Sequence, residues 1–341
     1  MIDQSEKTRL ENMSDVSLMG SSDTARSLLA SQLSRLIFVG GSPRSGTTLV
    51  QRILDCHPEI YGGPEFDFVP RIGDLFQAMQ QSIRSGRIDV ILDEKSLIHA
   101  FRCLLVALLS PKLQAEGVSY LSEKTPSNVL AFAWLEECAP EAKKILVLRD
   151  PRDVVSSMLE VGQRQRRRQG RASWFVRDTV AAVDYMNQCL KAGTALAENS
   201  SNCLVIYYED LVSDPLAVAN RMYRFIGVRE MDQLDLENEQ FKAARNQESW
   251  IDWATPGTIS GGVEKNRVGV ANQRLKRGDW DYVCIKTIRH PLLTERYSVP
   301  SQGWTAAARW CFARSLALRI RLRIHDDTSA LWTFLRQRLT G

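Results

Sequence analysis

Residues 40–48 read GGSPRSGTT and follow the apolar run RLIFV. Gly41 and Gly46 stand in the G-x-x-x-x-G spacing of a phosphate-binding loop. Glycines let backbone amides converge on an anion, and a helix starting near Gly46 would add its positive end. Arg44, Ser45, Thr47 and Thr48 offer a guanidinium and hydroxyls to the same anion. A nucleotide-hydrolysing loop continues with Lys and then Ser or Thr. Here Thr47 and Thr48 take those places, so the loop is read as an oxyanion cradle lacking the lysine that meets a γ-phosphate.

A second cluster of this kind lies in LVLRDPRDVVSSM, residues 146–158. Arg149 ends a strand-like run, and Ser157 falls about two turns into the helix that Asp150 caps and Pro151 opens. A guanidinium and a hydroxyl so placed can meet a second phosphate, the arginine through a bidentate fork. RDPRD also serves as a salt-bridged helix start, with Arg152 and Asp153 read as solvated helix charges. Three residues compete as a base. Glu65 in GGPEFDFVPR lies beyond the first helix, where the chain can return to the loop, with Asp67 beside it. His57 precedes Pro58, which keeps it out of helical geometry, so it is expected to end the helix and pack.

Positioning these groups requires strand ends. β-rich runs at 35–40, 118–123, 143–149 and 202–208 each precede a helix-like segment, the alternation of a mostly parallel sheet wrapped by helices. In such an α/β fold the ligand crevice lies at the carboxyl ends of the strands. Asp214 and Pro215 open a further helix that ends on Gly227.

PRSGTTLVQRILDCHPEI resembles the 5′-phosphosulfate segment of sulfotransferases that use 3′-phosphoadenosine 5′-phosphosulfate (PAPS). LVLRDPRDVVSSM resembles their 3′-phosphate segment, in the family's order and separation. The resemblance spans residues 35–300 and is strongest at 38–71 and 119–160. It implies a P-loop-like α/β sulfotransferase domain with PAPS as co-substrate and no metal. Arg44, Ser45, Gly46, Thr47 and Thr48 would hold the phosphosulfate, Arg149 and Ser157 the 3′-phosphate, and Tyr208 or Tyr207 would border the adenine. RLKRGDW resembles the segment that closes over the nucleotide, with Lys276 and Arg277 as candidates. Glu65 resembles the base of the tyrosylprotein-sulfotransferase branch. Lys124 in SEKTPSNV matches that branch's lysine, which would neutralise the bridging oxygen as the sulfur–oxygen bond breaks. Two other readings stand beside it: a P-loop kinase with an altered loop, and a non-catalytic nucleotide-binding or membrane-surface protein.

The acceptor is less legible. A hydroxyl on a carbohydrate, a lipid-linked compound or another small molecule is expected, with a peptide tyrosine as the other candidate; Arg71 near Glu65 suits an acidic peptide, whereas Asp67 opposes one. RQRRRQGR, 164–171, is read as a loop over the acceptor cleft.

Of 341 residues, 44% are hydrophobic and 25% charged, which places the chain among ordinary globular proteins. A formal charge of +4 suits an anionic ligand and does not by itself require nucleic acid. Seven cysteines without a CxxC pair are expected as reduced core thiols of a cytoplasmic protein. Residues 1–34 are expected as a mobile tail. Residues 301–341 are expected as a basic amphipathic extension that packs on the core or on a partner, or touches a membrane. Seven Arg against two Asp from 303 onward concentrate the net charge there. No stretch reaches the roughly 18 uninterrupted apolar residues of a membrane span.

Overall fold

The computed structural model describes residues 23–114, 117–235, 267–298, 303–318 and 320. In chain order the elements are α1 (Asp23–Leu33), β1 (Leu36–Gly41), α2 (Thr47–Leu54), β2 (Ile60–Gly62), α3 (Val69–Arg84) and α4 (Glu94–Leu109). They continue with β3 (Tyr120–Lys124), α5 (Asn128–Cys138), β4 (Lys143–Leu148), α6 (Pro151–Gln169), α7 (Thr179–Ala197) and β5 (Cys203–Tyr207). After these come α8 (Tyr208–Ser213), α9 (Pro215–Ile226), α10 (Arg277–Lys286) and a helix over 306–318, α11.

Both faces of β1 are apolar. Leu36 and Phe38 enter one core and Ile37 and Val39 the other, and β4 divides likewise into Leu146 and Leu148 against Ile145 and Val147. Strands of this kind need helices on both sides. α2 and α9 cover one face, while α1, α3, α4, α5 and α7 cover the other. The sheet is parallel throughout, in the order β2-β3-β1-β4-β5. The chain leaves β1 toward β2 and β3 and later crosses to β4, so the order reverses at the carboxyl end of β1. Register sets Val39 beside Lys124 and Gly41 beside Val147, and so brings the loop after β1 level with the ends of β3 and β4.

The four expected strands are present, and β2, too short to read from pattern, adds a fifth. Asp214 caps α9 by accepting from Ala217 N, and Gly227 closes it in the left-handed region, as the sequence indicates. Three expectations need correction. The tail expected over 1–34 includes α1, whose Leu33 is buried; residues 1–22 lie outside the described residues. The run 164–171 is mostly helical: Arg164, Arg166, Arg167 and Arg168 continue α6 to its left-handed cap at Gly170, and Arg171 follows it. Cys103 is exposed, unlike a core thiol. Residues 94–114 also have the length and mean hydropathy, 1.4, of a membrane span. Leu97, Phe101, Leu105 and Leu109 nonetheless form a buried stripe, and Arg102 is bonded to Cys138 O and Glu141.

Candidate active site

The loop after β1 is shaped by backbone that few residues adopt. Gly46 has φ 107°, and a Cβ there would lie 2.4 Å from Tyr208 Cδ2. Among the described residues, Arg44 (φ 74°) and Asp67 (φ 63°) are the two non-glycines with positive φ. Such conformations cost on the order of 1–3 kcal/mol each and persist where the surroundings impose them.

Arg44 Nε donates to Ser157 Oγ at 3.0 Å, tying the β1 loop to α6. Arg149 Nη1 donates to Arg44 O at 3.1 Å, and Nη2 donates to Arg267 O. The fork expected to grip a phosphate is therefore engaged with two backbone carbonyls, and it is the buried Nε of Arg149 that lacks a partner. The buried Ser42 and Ser45 hydroxyls are also unpartnered. Burial, with Arg164 and Arg149 nearby, pulls the Arg44 pKa down to about 10; Glu160 opposes this, and Arg267 adds to it. Unspent buried donors in a surplus of guanidinium charge fit a polyanion. Thr47 is buried and Thr48 exposed at the first turn of α2, where main-chain N–H groups have no intrahelical partner.

Asp153 was misread as a solvated charge. It is almost fully buried, accepts from Gly269 N at 2.7 Å and Ala271 N at 2.8 Å, and lies 3.7 Å from Arg149. It pins the 267–271 segment whose Arg267 carbonyl holds Arg149. Arg152 is likewise clamped on Asp150 at 2.6 Å, over the Trp280 ring.

Lys124 and Glu65, expected as separate contributors, form an ion pair, with Lys124 only 2% exposed. The elements under it explain the placement. Glu123 accepts from Phe66 N at 3.1 Å and Thr125 Oγ1 at 2.7 Å, while Asp67 N donates to Thr125 Oγ1 at 3.1 Å. Alternate residues at the end of β3 thus hold the 65–67 turn over Lys124. Beneath lie Gln51, bonded to Ser122 and Asp55, and Gly62, where a Cβ would come within 2.0 Å of Asp55 Oδ1. Burial pushes Lys124 down, against the raising effect of Glu65, and pushes Glu123 up.

Burial also pushes Asp55 from 3.8 to about 7, against bonds from Gln51 and Gly62 and the charge of Lys124. Between those two pH values the folded protein binds more protons than the unfolded one, so this residue costs stability as pH rises, fully so above about 7. Asp55→Asn removes that slope. Relative to the parent, the variant gains on the order of 3 kcal/mol more at pH 8 than at pH 4, read from unfolding midpoints at both values.

His57 is buried. Its Nε2 donates to Arg229 O at 3.2 Å, its Nδ1 accepts from Glu59 N, and its ring lies 4.9 Å from that of Tyr223. Both nitrogens are spent at the end of α2 opposite the loop. Tyr208 is wedged between Gly46 and Arg149, whose guanidinium lies 4.3 Å from the ring. Tyr207 donates to Leu292 O beneath Arg296. Lys276 is exposed at the start of α10, and Arg277 pairs with Asp281 at 3.0 Å; neither makes a described contact with the loop.

A parallel α/β sheet with a glycine-bounded loop at its reversal point defines a P-loop-like α/β domain. The model of the sulfotransferase family matches residues 36–233. Protein-tyrosine sulfotransferase 2 of Gallus gallus is 32% identical over 284 residues, 75% of this chain and 72% of that one. Protein-tyrosine sulfotransferase 1 of Danio rerio is 34% identical over 203 residues, 57% of this chain and 53% of that one. The sulfotransferase domain of the Synechococcus PCC 7002 olefin synthase aligns with TM-score 0.44 and 22% identity, over 71% of this chain and 88% of that one. The chain belongs to the sulfotransferase family. It is a sulfotransferase enzyme.

Proposed function

We propose that the protein transfers the sulfuryl group of PAPS to an acceptor hydroxyl, with Glu65 as base and with Lys124 and Arg44 stabilising the charge on the phosphosulfate. The observation that carries this reading is the Arg44–Ser157 bond, which joins two anion-binding segments into one site rich in unspent donors. Two anionic ends of one nucleotide would account for both. PAPS supplies the activated sulfuryl group. Arg44 and the first-turn amides of α2 hold the phosphosulfate oxygens, while Ser157 and Arg149 Nε face the 3′-phosphate. Glu65 removes the acceptor proton as the new sulfur–oxygen bond forms. Lys124 exchanges Glu65 for the bridging oxygen and neutralises the charge left on the 5′-phosphate.

The names of the relatives make a tyrosine hydroxyl the first acceptor to try. Phe66 and Phe68, which follow Glu65, meet edge-on, and Tyr185 packs against Trp174 and Phe175. This aromatic rim suits a phenol as well as a small apolar alcohol.

The kinase alternative has no lysine in the loop to support it; Thr47 stands in that place and is buried. The deciding measurement is thermal stabilisation. At a hundredfold excess over its Kd, 3′-phosphoadenosine 5′-phosphate stabilises the protein by about 2.7 kcal/mol, and ATP with magnesium does far less. A larger shift with ATP and magnesium overturns the assignment.

A further inference from the structure

Helix α11 carries its amphipathic character reversed. The face packed on the fold is small or polar: Ala308, Cys311 and Ser315 are buried. Gly278 at the start of α10 admits Ala307 O to within 2.6 Å of where a Cβ would stand, and Asp279 accepts from Cys311 Sγ and Arg314. The helix is thereby fixed to the domain through that face. Its large apolar side chains point outward: Trp310 is 71% exposed, Phe312 43%, Leu316 48% and Ile320 52%. Residues 312, 316 and 320 succeed one another on one side of the helix, as four-residue steps require. The Trp304 ring, also exposed, meets Phe312 edge-on and extends the patch. A helix of a soluble domain turns such a stripe inward, and a contiguous exposed one marks an interaction surface.

Charge identifies what covers it. From 303 to 324 the chain has five Arg and no Asp or Glu. Arg309 is exposed on the same side as the stripe, and Lys286 rests over Trp304 at its edge. A second copy meeting this face isologously would oppose like charges. An anionic bilayer accepts them, because arginine stems lie along apolar surface while their heads reach phosphate. Exposed tryptophans suit the headgroup boundary. We propose that α11, with Ile320 just beyond it, is a membrane-docking element that lays Phe312, Leu316 and Ile320 into the interface of an anionic bilayer, with Trp304 at the edge of the patch and Arg309 against its headgroups.

Vesicle flotation of the full chain tests this. Vesicles of phosphatidylcholine with about 30% phosphatidylserine should bind at least about tenfold more protein than phosphatidylcholine alone. Leu316→Glu/Ile320→Glu should lose at least about tenfold of that binding, with the melting temperature unchanged because both positions are exposed. Arg309→Glu, which leaves the apolar stripe intact, should lose several-fold and guards against misfolding of the double variant. Absence of binding to anionic vesicles, or binding untouched by these variants, overturns the proposal. So does a concentration-dependent dimer that the double variant abolishes in protein indifferent to vesicles, which would make a second copy the occupant.

Discussion

Glu65→Gln lowers kcat by about 10²–10⁴-fold, the range a positioned base contributes, while affinity for the donor changes little. Glutamine keeps the shape and can still accept from Lys124, so the 65–67 turn stays held by Glu123 and Thr125. His57→Gln provides the contrast. Its ring nitrogens close the turn after α2 onto Arg229 and Glu59, so its loss should register in the unfolding midpoint, with kcat per folded molecule preserved. Single-turnover transfer from labelled PAPS reads both. Undiminished transfer by Glu65→Gln would pass the role to another group, with Asp67, two residues on in the same turn, next to examine.

The sheet was legible because its strands are apolar on both faces and end in residues of recognisable type: glycines at the end of β1, Lys124 at the end of β3, Arg149 after β4. β2 was not, since three residues at a sheet edge carry no periodicity and exist only by pairing with β3. The run 164–171 misled through composition. A block of arginines reads as a solvated loop, but α6 tolerates it because Arg164 finds Glu160 four residues back and Arg166 reaches Arg177 O. Asp153 is the more instructive error. On the sequence it is a charge in a first helical turn, indistinguishable from a dipole-favoured surface acid. Its purpose appears only when residues 267–271, more than a hundred positions away, return to place two amides on it. The engagement of the Arg149 fork was not legible either, because the carbonyls that occupy it belong to the loop and to that returning segment. The Glu65–Lys124 pair had the same limit: each was found singly, and their union depends on Glu123 and Thr125, whose alternation along β3 was the available signal.

Lys124→Ala lowers turnover by about 10²–10³-fold, the scale for removing one preorganised stabiliser of developing charge, and also weakens the fold. Lys124 is the cation whose charge lowers both Asp55 and Glu123, two buried carboxyls already pushed up by desolvation. Breaking a buried pair costs about 3–5 kcal/mol when the remaining charge stays buried; Glu65, 27% exposed, rehydrates and keeps its share below that. Asp55 cannot, so its pKa climbs further and its cost above neutral pH grows. The stability deficit of Lys124→Ala is therefore smaller at pH 5 than at pH 8. Lys124→Met restores most of the lost packing without the charge, so turnover should stay low while the unfolding midpoint recovers at pH 5. That separation distinguishes a charge that meets the donor from one that merely fills the core. If the two residues act as a unit, the rate losses of Glu65→Gln and Lys124→Ala will not add in the double variant; full additivity would mean that each acts independently of the ion pair seen in the structure.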